Sequence, residues 1–138
     1  MEVPLLKSHR PALREAAKRP KLLGKRILLV DDQRPVRDAI SLLLGLDQHT
    51  VIEAANGAEA LALFKPDHFD LVITDFEMPK MKGNELAERI KLICPSQPIL
   101  MITAYVERLE DADNPVDSVL NKPFQLEDLR QVIADLLR

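Results

Sequence analysis

The chain of 138 residues contains no tryptophan, one tyrosine (Tyr105), four phenylalanines, four glycines and one cysteine (Cys94). A single cysteine excludes an intramolecular disulfide and fits a reducing compartment. No Gly-x-Gly-x-x-Gly or Gly-Lys-Thr loop is present, which argues against a dinucleotide or nucleoside-triphosphate site. The longest unbroken apolar runs, such as Ile27 to Val30 and Leu42 to Leu44, fall far short of the ~20 residues that span a bilayer. The first seven residues lack an apolar stretch of signal-peptide length, so a cytoplasmic location with no membrane partner is expected. His9, His49 and His68 stand without metal-ligand spacing.

What remains is a chain of one-domain size with 46% hydrophobic and 30% charged residues. Its net charge of −3 conceals an asymmetry. Residues 1–26 hold eight basic groups against Glu2 and Glu15, whereas residues 27–138 hold 11 basic and 20 acidic groups. With Pro4, Pro11 and Pro20 interrupting it, the region 1–22 reads as a basic, partly flexible N-terminal arm on an acidic domain spanning 23–138. The composition of Ala12 to Arg19 suits two helical turns.

From Arg26 the pattern becomes a regular alternation. Arg26-Ile-Leu-Leu-Val-Asp31, Asp70-Leu-Val-Ile-Thr-Asp75 and Pro98-Ile-Leu-Met-Ile-Thr103 are short continuous apolar runs, the mark of strands buried on both faces. Thr50 to Ala54 and Val116 to Leu120 complete five strands. Between them, Pro35 opens a helix that closes near Gly45, and Asn56-Gly57 reads as a turn before a helix over Ala58 to Lys65. A third helix runs from Asn84 to Ile93 with Leu86, Ile90 and Ile93 inward, and the chain closes on a helix over Gln125 to Arg138. Tyr105 to Asn114 is only weakly helical and is closed by Pro115. Strands alternating with helices predict an α/β fold: a doubly wound, flavodoxin-like (βα)5 sandwich on a parallel five-stranded sheet, with a short or irregular fourth helix.

In such a sheet ligands lie beyond the carboxyl ends of the strands. Asp31 and Asp32 end strand one, Asp75 ends strand three, Thr103 ends strand four and Lys122 follows strand five. Three adjacent carboxylates repel one another and raise one another's pKa values unless a cation joins them. A hard divalent ion such as Mg2+ suits them, and Lys122 and Thr103 supply an ammonium and a hydroxyl for a phosphoryl group. Singly, each of these residues is an ordinary loop residue. Their joint placement at four strand ends is the signal.

The segments Ile27-Leu-Leu-Val-Asp-Asp32, Asp70-Leu-Val-Ile-Thr-Asp75-Phe-Glu-Met-Pro-Lys-Met-Lys-Gly83, Ile102-Thr103-Ala104 and Asn121-Lys-Pro-Phe124 resemble those of the CheY-like response-regulator receiver domain of two-component signalling, over about residues 25–138. The resemblance implies a signalling domain rather than an enzyme in the ordinary sense. Asp75 would be the phosphoacceptor for a sensor histidine kinase or phosphotransfer protein. Asp31, Asp32, Asp75 and the backbone carbonyl of Glu77 would hold Mg2+ or Mn2+, and Thr103 and Lys122 would bind the phosphoryl group. Independently of the resemblance, Gly83 can take the positive φ that a tight loop after Asp75 would need.

The chain departs from the family in places. Val119 stands three residues before Lys122, where receivers usually carry an aromatic. Glu77, two residues after Asp75, Tyr105, two after Thr103, and Val119 are candidate modulators: Glu77 of phosphoryl lifetime, Tyr105 as a partly exposed residue or a replacement switch. The stretch from Thr103 to Lys122 is about a turn shorter than usual. A stand-alone switch with a downstream protein partner is expected, as a monomer or a phosphorylation-dependent dimer. The alternative is a phosphorylation-independent interaction module whose basic arm meets an acidic partner or nucleic acid, although the arm has neither aromatics nor a DNA-binding motif. An aspartyl phosphatase of the haloacid dehalogenase type fits poorly, because the acids are adjacent rather than in an Asp-x-Asp pattern.

Overall fold

The computed structural model describes residues 22–106 and 115–138. Residues 1–21 of the arm and residues 107–114 of the weakly helical stretch lie outside the described residues. Five strands, β1 (Arg26–Val30), β2 (Thr50–Ala54), β3 (Leu71–Asp75), β4 (Ile99–Thr103) and β5 (Ser118–Asn121), form one parallel sheet in the order β2-β1-β3-β4-β5. Four helices are described: α1 (Arg34–Leu46), α2 (Gly57–Leu63), α3 (Gly83–Ile93) and α4 (Leu126–Leu137).

The apolar runs are continuous because alternate residues of one strand face different layers. In β1, Leu28 and Val30 join Ala60 and Phe64, from α2 and its end, and Leu86, Ala87 and Ile90 of α3. Ile27 and Leu29 point the other way, into a core with Ile40 and Leu44 of α1 and Leu129 and Ile133 of α4. The sheet is therefore covered on both faces. The strand order reverses between β1 and β3, so the carboxyl ends of these neighbours flank the switch point at which a doubly wound sheet opens a crevice.

Several local expectations need correction. Asn56 caps α2, its side-chain oxygen accepting from the Glu59 N–H at 2.8 Å, so Asn56-Gly57 starts the helix instead of forming a separate turn. Ile93 is 52% exposed, because the inward stripe of α3 is Leu86, Ala87 and Ile90 and the helix ends at Ile93. β5 begins at Ser118, two residues later than expected, since the Asp117 carboxylate takes the Ile99 N–H at 2.8 Å. Gly83 does not adopt a positive φ. Lys80 does, at 70°, and Gly83 meets a different need: a Cβ there would collide with the backbone oxygen of Asp75.

At the amino edge of the sheet, side chains accept hydrogen bonds from N–H groups at the starts of strands. His49 Nδ1 takes the Lys25 N–H at 3.0 Å, Asp70 Oδ2 takes that of Arg26 at 2.8 Å, and Asp117 takes that of Ile99. Arg130 of α4 grips the Asp47 carboxylate with two bonds of 2.8 Å each, tying the last helix to the end of α1. Burial holds the His49 imidazole below its ordinary pKa, which suits its role as an acceptor.

Candidate phosphoryl and metal site

The carboxyl edge is built differently. Asp31, Asp32 and Asp75 each offer an oxygen, and these three atoms lie within 4.8 Å of one another. Asp31 is 2% exposed. Its Oδ1 accepts from the Gln33 N–H at 2.9 Å and its Oδ2 lies 3.7 Å from Lys122 Nζ. Asp75 Oδ1 accepts from the Phe76 N–H at 2.9 Å and from Lys122 Nζ at 3.5 Å. Lys122 thus stands between two acids supplied by different strands, where one ammonium can balance part of their charge.

Burial is the chief influence on both carboxyls and pushes the Asp75 pKa above the ordinary carboxylate value, with Lys122 pulling it back and Asp31 adding to the rise. Asp31 is likewise raised by burial, against the Gln33 N–H and Lys122, with Asp32 a smaller contribution in the same direction as burial. Mutual repulsion among the acids is therefore secondary to desolvation. Asp32 Oδ1 is buried and has no hydrogen-bond partner. An orphaned anionic oxygen beside two further carboxylates fits a hard divalent cation, whose oxygen ligands include carboxylates, carbonyls and water.

Of the remaining residues singled out in the sequence, Thr103 lies at the same edge, whereas Val119 sits inside β5 opposite Met101. Thr103 is fully buried, and its Oγ1 accepts from the Tyr105 N–H at 3.0 Å. The Lys122 N–H donates to the Thr103 carbonyl at 2.8 Å, so these two residues are linked through the backbone. Glu77 is half-buried two residues beyond Asp75. Val119 packs against Phe76 and Met101, and Tyr105 is 43% exposed. The start of α3 is held to this loop by the Gly83 N–H, which donates to the Phe76 carbonyl at 2.9 Å, while the Thr74 hydroxyl donates to the Asp75 carbonyl at 2.9 Å.

The sequence matches the response regulator receiver domain family over residues 27–134. The chain belongs to this family. Over 119 residues it is 37% identical to the response regulator MprA of Mycobacterium ulcerans, an alignment covering 84% of this chain and 51% of that protein. The MprA of Mycolicibacterium vanbaalenii is 38% identical over 116 residues, covering 82% of this chain and 50% of its own length. The receiver thus spans about half the length of the curated relatives it matches. Among solved structures it is similar to the response regulator protein TrrA of Thermotoga maritima in complex with Mg(2+)-BeF, with a TM-score of 0.77 and 34% identity, covering 82% of this chain and 99% of that one. Vibrio cholerae CheY4 gives a TM-score of 0.74 and 31% identity, covering 83% of this chain and 99% of its own.

The CheY-like fold expected from the sequence is therefore borne out. Among the described residues no helix is long and apolar enough to cross a membrane. Sequence reading passed over two polar residues that the receiver uses. His49 lies in the loop before β2, as its sequence context suggests, but it is buried there and its ring accepts the Lys25 N–H. Arg37, which nothing in the sequence singles out, donates from its guanidinium to the Asp31 carbonyl at 2.7 Å.

Proposed function

We propose that this receiver is a phosphorylation-controlled signalling switch in which Asp75 accepts a phosphoryl group from the phosphohistidine of a sensor histidine kinase or phosphotransfer protein. In the transfer, an Asp75 carboxylate oxygen forms a bond to phosphorus as the phosphorus–nitrogen bond of the donor breaks and the imidazole leaves. Asp31, Asp32, Asp75 and the Glu77 carbonyl would hold Mg2+ or Mn2+, which when bound offsets negative charge on the transferring group. Lys122 pulls the Asp75 pKa down against the larger effect of burial and is placed to meet a phosphoryl oxygen. Thr103 supplies a hydroxyl at the end of the neighbouring strand. Because phosphoryl transfer makes few covalent demands on the protein, these positions and charges are the catalytic contribution. The modified state would be read by a downstream protein partner.

The observation that carries this reading is the cluster itself: three carboxylates at the switch point, one with an orphaned buried oxygen, and a single ammonium between the other two. Its test is the intact mass after incubation with acetyl phosphate and Mg2+, with and without a chelator. One phosphate adduct that needs the metal and disappears in Asp75→Ala is the expected result. No adduct in the wild-type chain, from acetyl phosphate or from a kinase, overturns it.

A second reading, an interaction module that works without phosphorylation, is favoured by Val119. A valine wedged against Phe76 and Met101 offers no ring to swing when Thr103 moves. Failure to bind beryllofluoride together with the missing adduct would establish that reading.

A further inference from the structure

Asp31 and Asp32 leave the sheet together, yet they are held very differently. Asp32 has a buried oxygen without a partner. Asp31 is fixed on every side: its N–H donates to the Ala54 carbonyl at 3.2 Å, its Oδ1 accepts from the Gln33 N–H, and its carbonyl accepts from Arg37 at 2.7 Å. That carbonyl belongs to the planar peptide joining Asp31 to Asp32. Whatever fixes its oxygen also fixes the direction in which the Asp32 Cα leaves the strand.

Arg37 is suited to that task. It lies in the first turn of α1, where its own N–H donates to Gln33 at 2.9 Å. Its side chain is only 14% exposed, and it is forked: one nitrogen bonds the Asp31 carbonyl, while Nε bonds Glu53 Oε1 on β2 at 3.0 Å. The guanidinium thus braces the loop after β1 against the adjacent strand, a rigid geometry that the single ammonium of lysine does not reproduce. Its bonds run to the Asp31 carbonyl and to Glu53, and its charge also lowers the Asp31 pKa slightly against burial.

We infer that Arg37 is a positioning residue for the divalent-cation site: by holding the Asp31–Asp32 peptide against Glu53 it keeps the Asp32 carboxylate in place for the ion. This inference rests on the reading of the acidic cluster as a cation site. It opposes the simplest electrostatic expectation, because removing a positive charge near three carboxylates should by itself strengthen cation binding. Loss of an outer-shell partner instead weakens metal affinity, typically by about 10–100-fold.

The experiment is a calorimetric titration of the intact chain with MgCl2, at a temperature well below the melting point of each variant, for wild type, Arg37→Ala and Arg37→Lys. A roughly tenfold weaker Mg2+ affinity in Arg37→Ala is expected, with Arg37→Lys between it and wild type. The Mg2+ concentration giving half-maximal phosphorylation by acetyl phosphate should rise in parallel, while the rate at saturating Mg2+ changes little. Unchanged or tighter Mg2+ binding in a folded Arg37→Ala chain overturns the inference alone. Absence of Mg2+ uptake by the wild-type chain overturns the reading of the site and this inference with it. If Arg37→Ala does not fold, Arg37→Lys decides by the same titration, and wild-type affinity in that variant overturns the inference.

Discussion

Replacing Gly83 by alanine sets two opposed effects against each other at the foot of α3. Alanine is better than glycine inside a helix by about 1 kcal/mol, so propensity alone predicts a gain. The added Cβ, however, would collide with the Asp75 carbonyl oxygen and come within 3.1 Å of the Phe76 Cα. Both are backbone atoms that cannot rotate aside. The first turn of α3 must retreat, stretching the Gly83 to Phe76 hydrogen bond of 2.9 Å. Overpacking of this kind costs about 1–3 kcal/mol, which leaves a net loss of up to about 2 kcal/mol and a melting temperature lower by up to about 8 °C. Since the atoms pushed belong to the proposed phosphoacceptor, a displacement on the order of 1 Å should slow phosphorylation by roughly 10²-fold.

The other helical glycines are internal controls. A Cβ at Gly45 meets nothing within 4 Å, so Gly45→Ala should stabilise the chain by about 0.5–1 kcal/mol. At Gly57 the obstacle is the Met81 Sδ at 2.6 Å, the far end of an adaptable side chain, and the cost should be smaller than at Gly83. Melting followed by far-UV circular dichroism, suited to a chain without tryptophan, and phosphate-adduct formation followed by mass would rank the three. If Gly83→Ala is as stable as Gly45→Ala and is phosphorylated at the wild-type rate, the close approach has no functional weight and the reasoning fails.

Two further outcomes follow from the charges. Burial raises the folded-state pKa of Asp75 above its ordinary 3.8, so the protonated acid favours the native state below that value and this advantage is lost as pH rises through the raised folded value. Without metal, Asp75→Asn should therefore melt higher than wild type at pH 7, with the difference shrinking towards pH 3; a difference independent of pH would refute the assignment. Asp47→Ala strips Arg130 of both its bonds to that carboxylate and should cost about 2 kcal/mol in urea unfolding, in the range of hydrogen bonds to charged groups. A loss below about 0.5 kcal/mol, no more than an ordinary surface change, would remove the clamp from the stability account.

The fold was legible where one physical demand dominated. β1, β3 and β4 are buried on both faces, so their sequences are unbroken apolar runs that admit few other readings. The boundary of β5 was less legible because a side chain, Asp117, does the work of a strand residue there. The acids of the site could be named from their places at strand ends, but their convergence follows from the sheet order, which sets β3 beside β1. Gly83 was recognised as special for the wrong reason, since a glycine required by a close neighbour looks the same in sequence as one required by φ. Arg37 carries no local signal at all. Its partners, Asp31 and Glu53, belong to two other segments and meet it only when the sheet is assembled.

The side-chain acceptors along the amino edge of the sheet also bear on where this molecule opens. Lys25, Arg26 and Ile99 donate their amides to His49, Asp70 and Asp117, and Arg130 locks the last helix to the same end. At the opposite end the acids are desolvated and Asp32 keeps an unpaired oxygen. Apart from the Asp31 peptide that Arg37 holds, fluctuations should then begin at the acidic end and die out toward the amino edge, giving a gradient of amide exchange along the strands. Cation binding would quiet that gradient from one side only, so the same brace that stabilises the sheet would confine the response to the loops where it is needed.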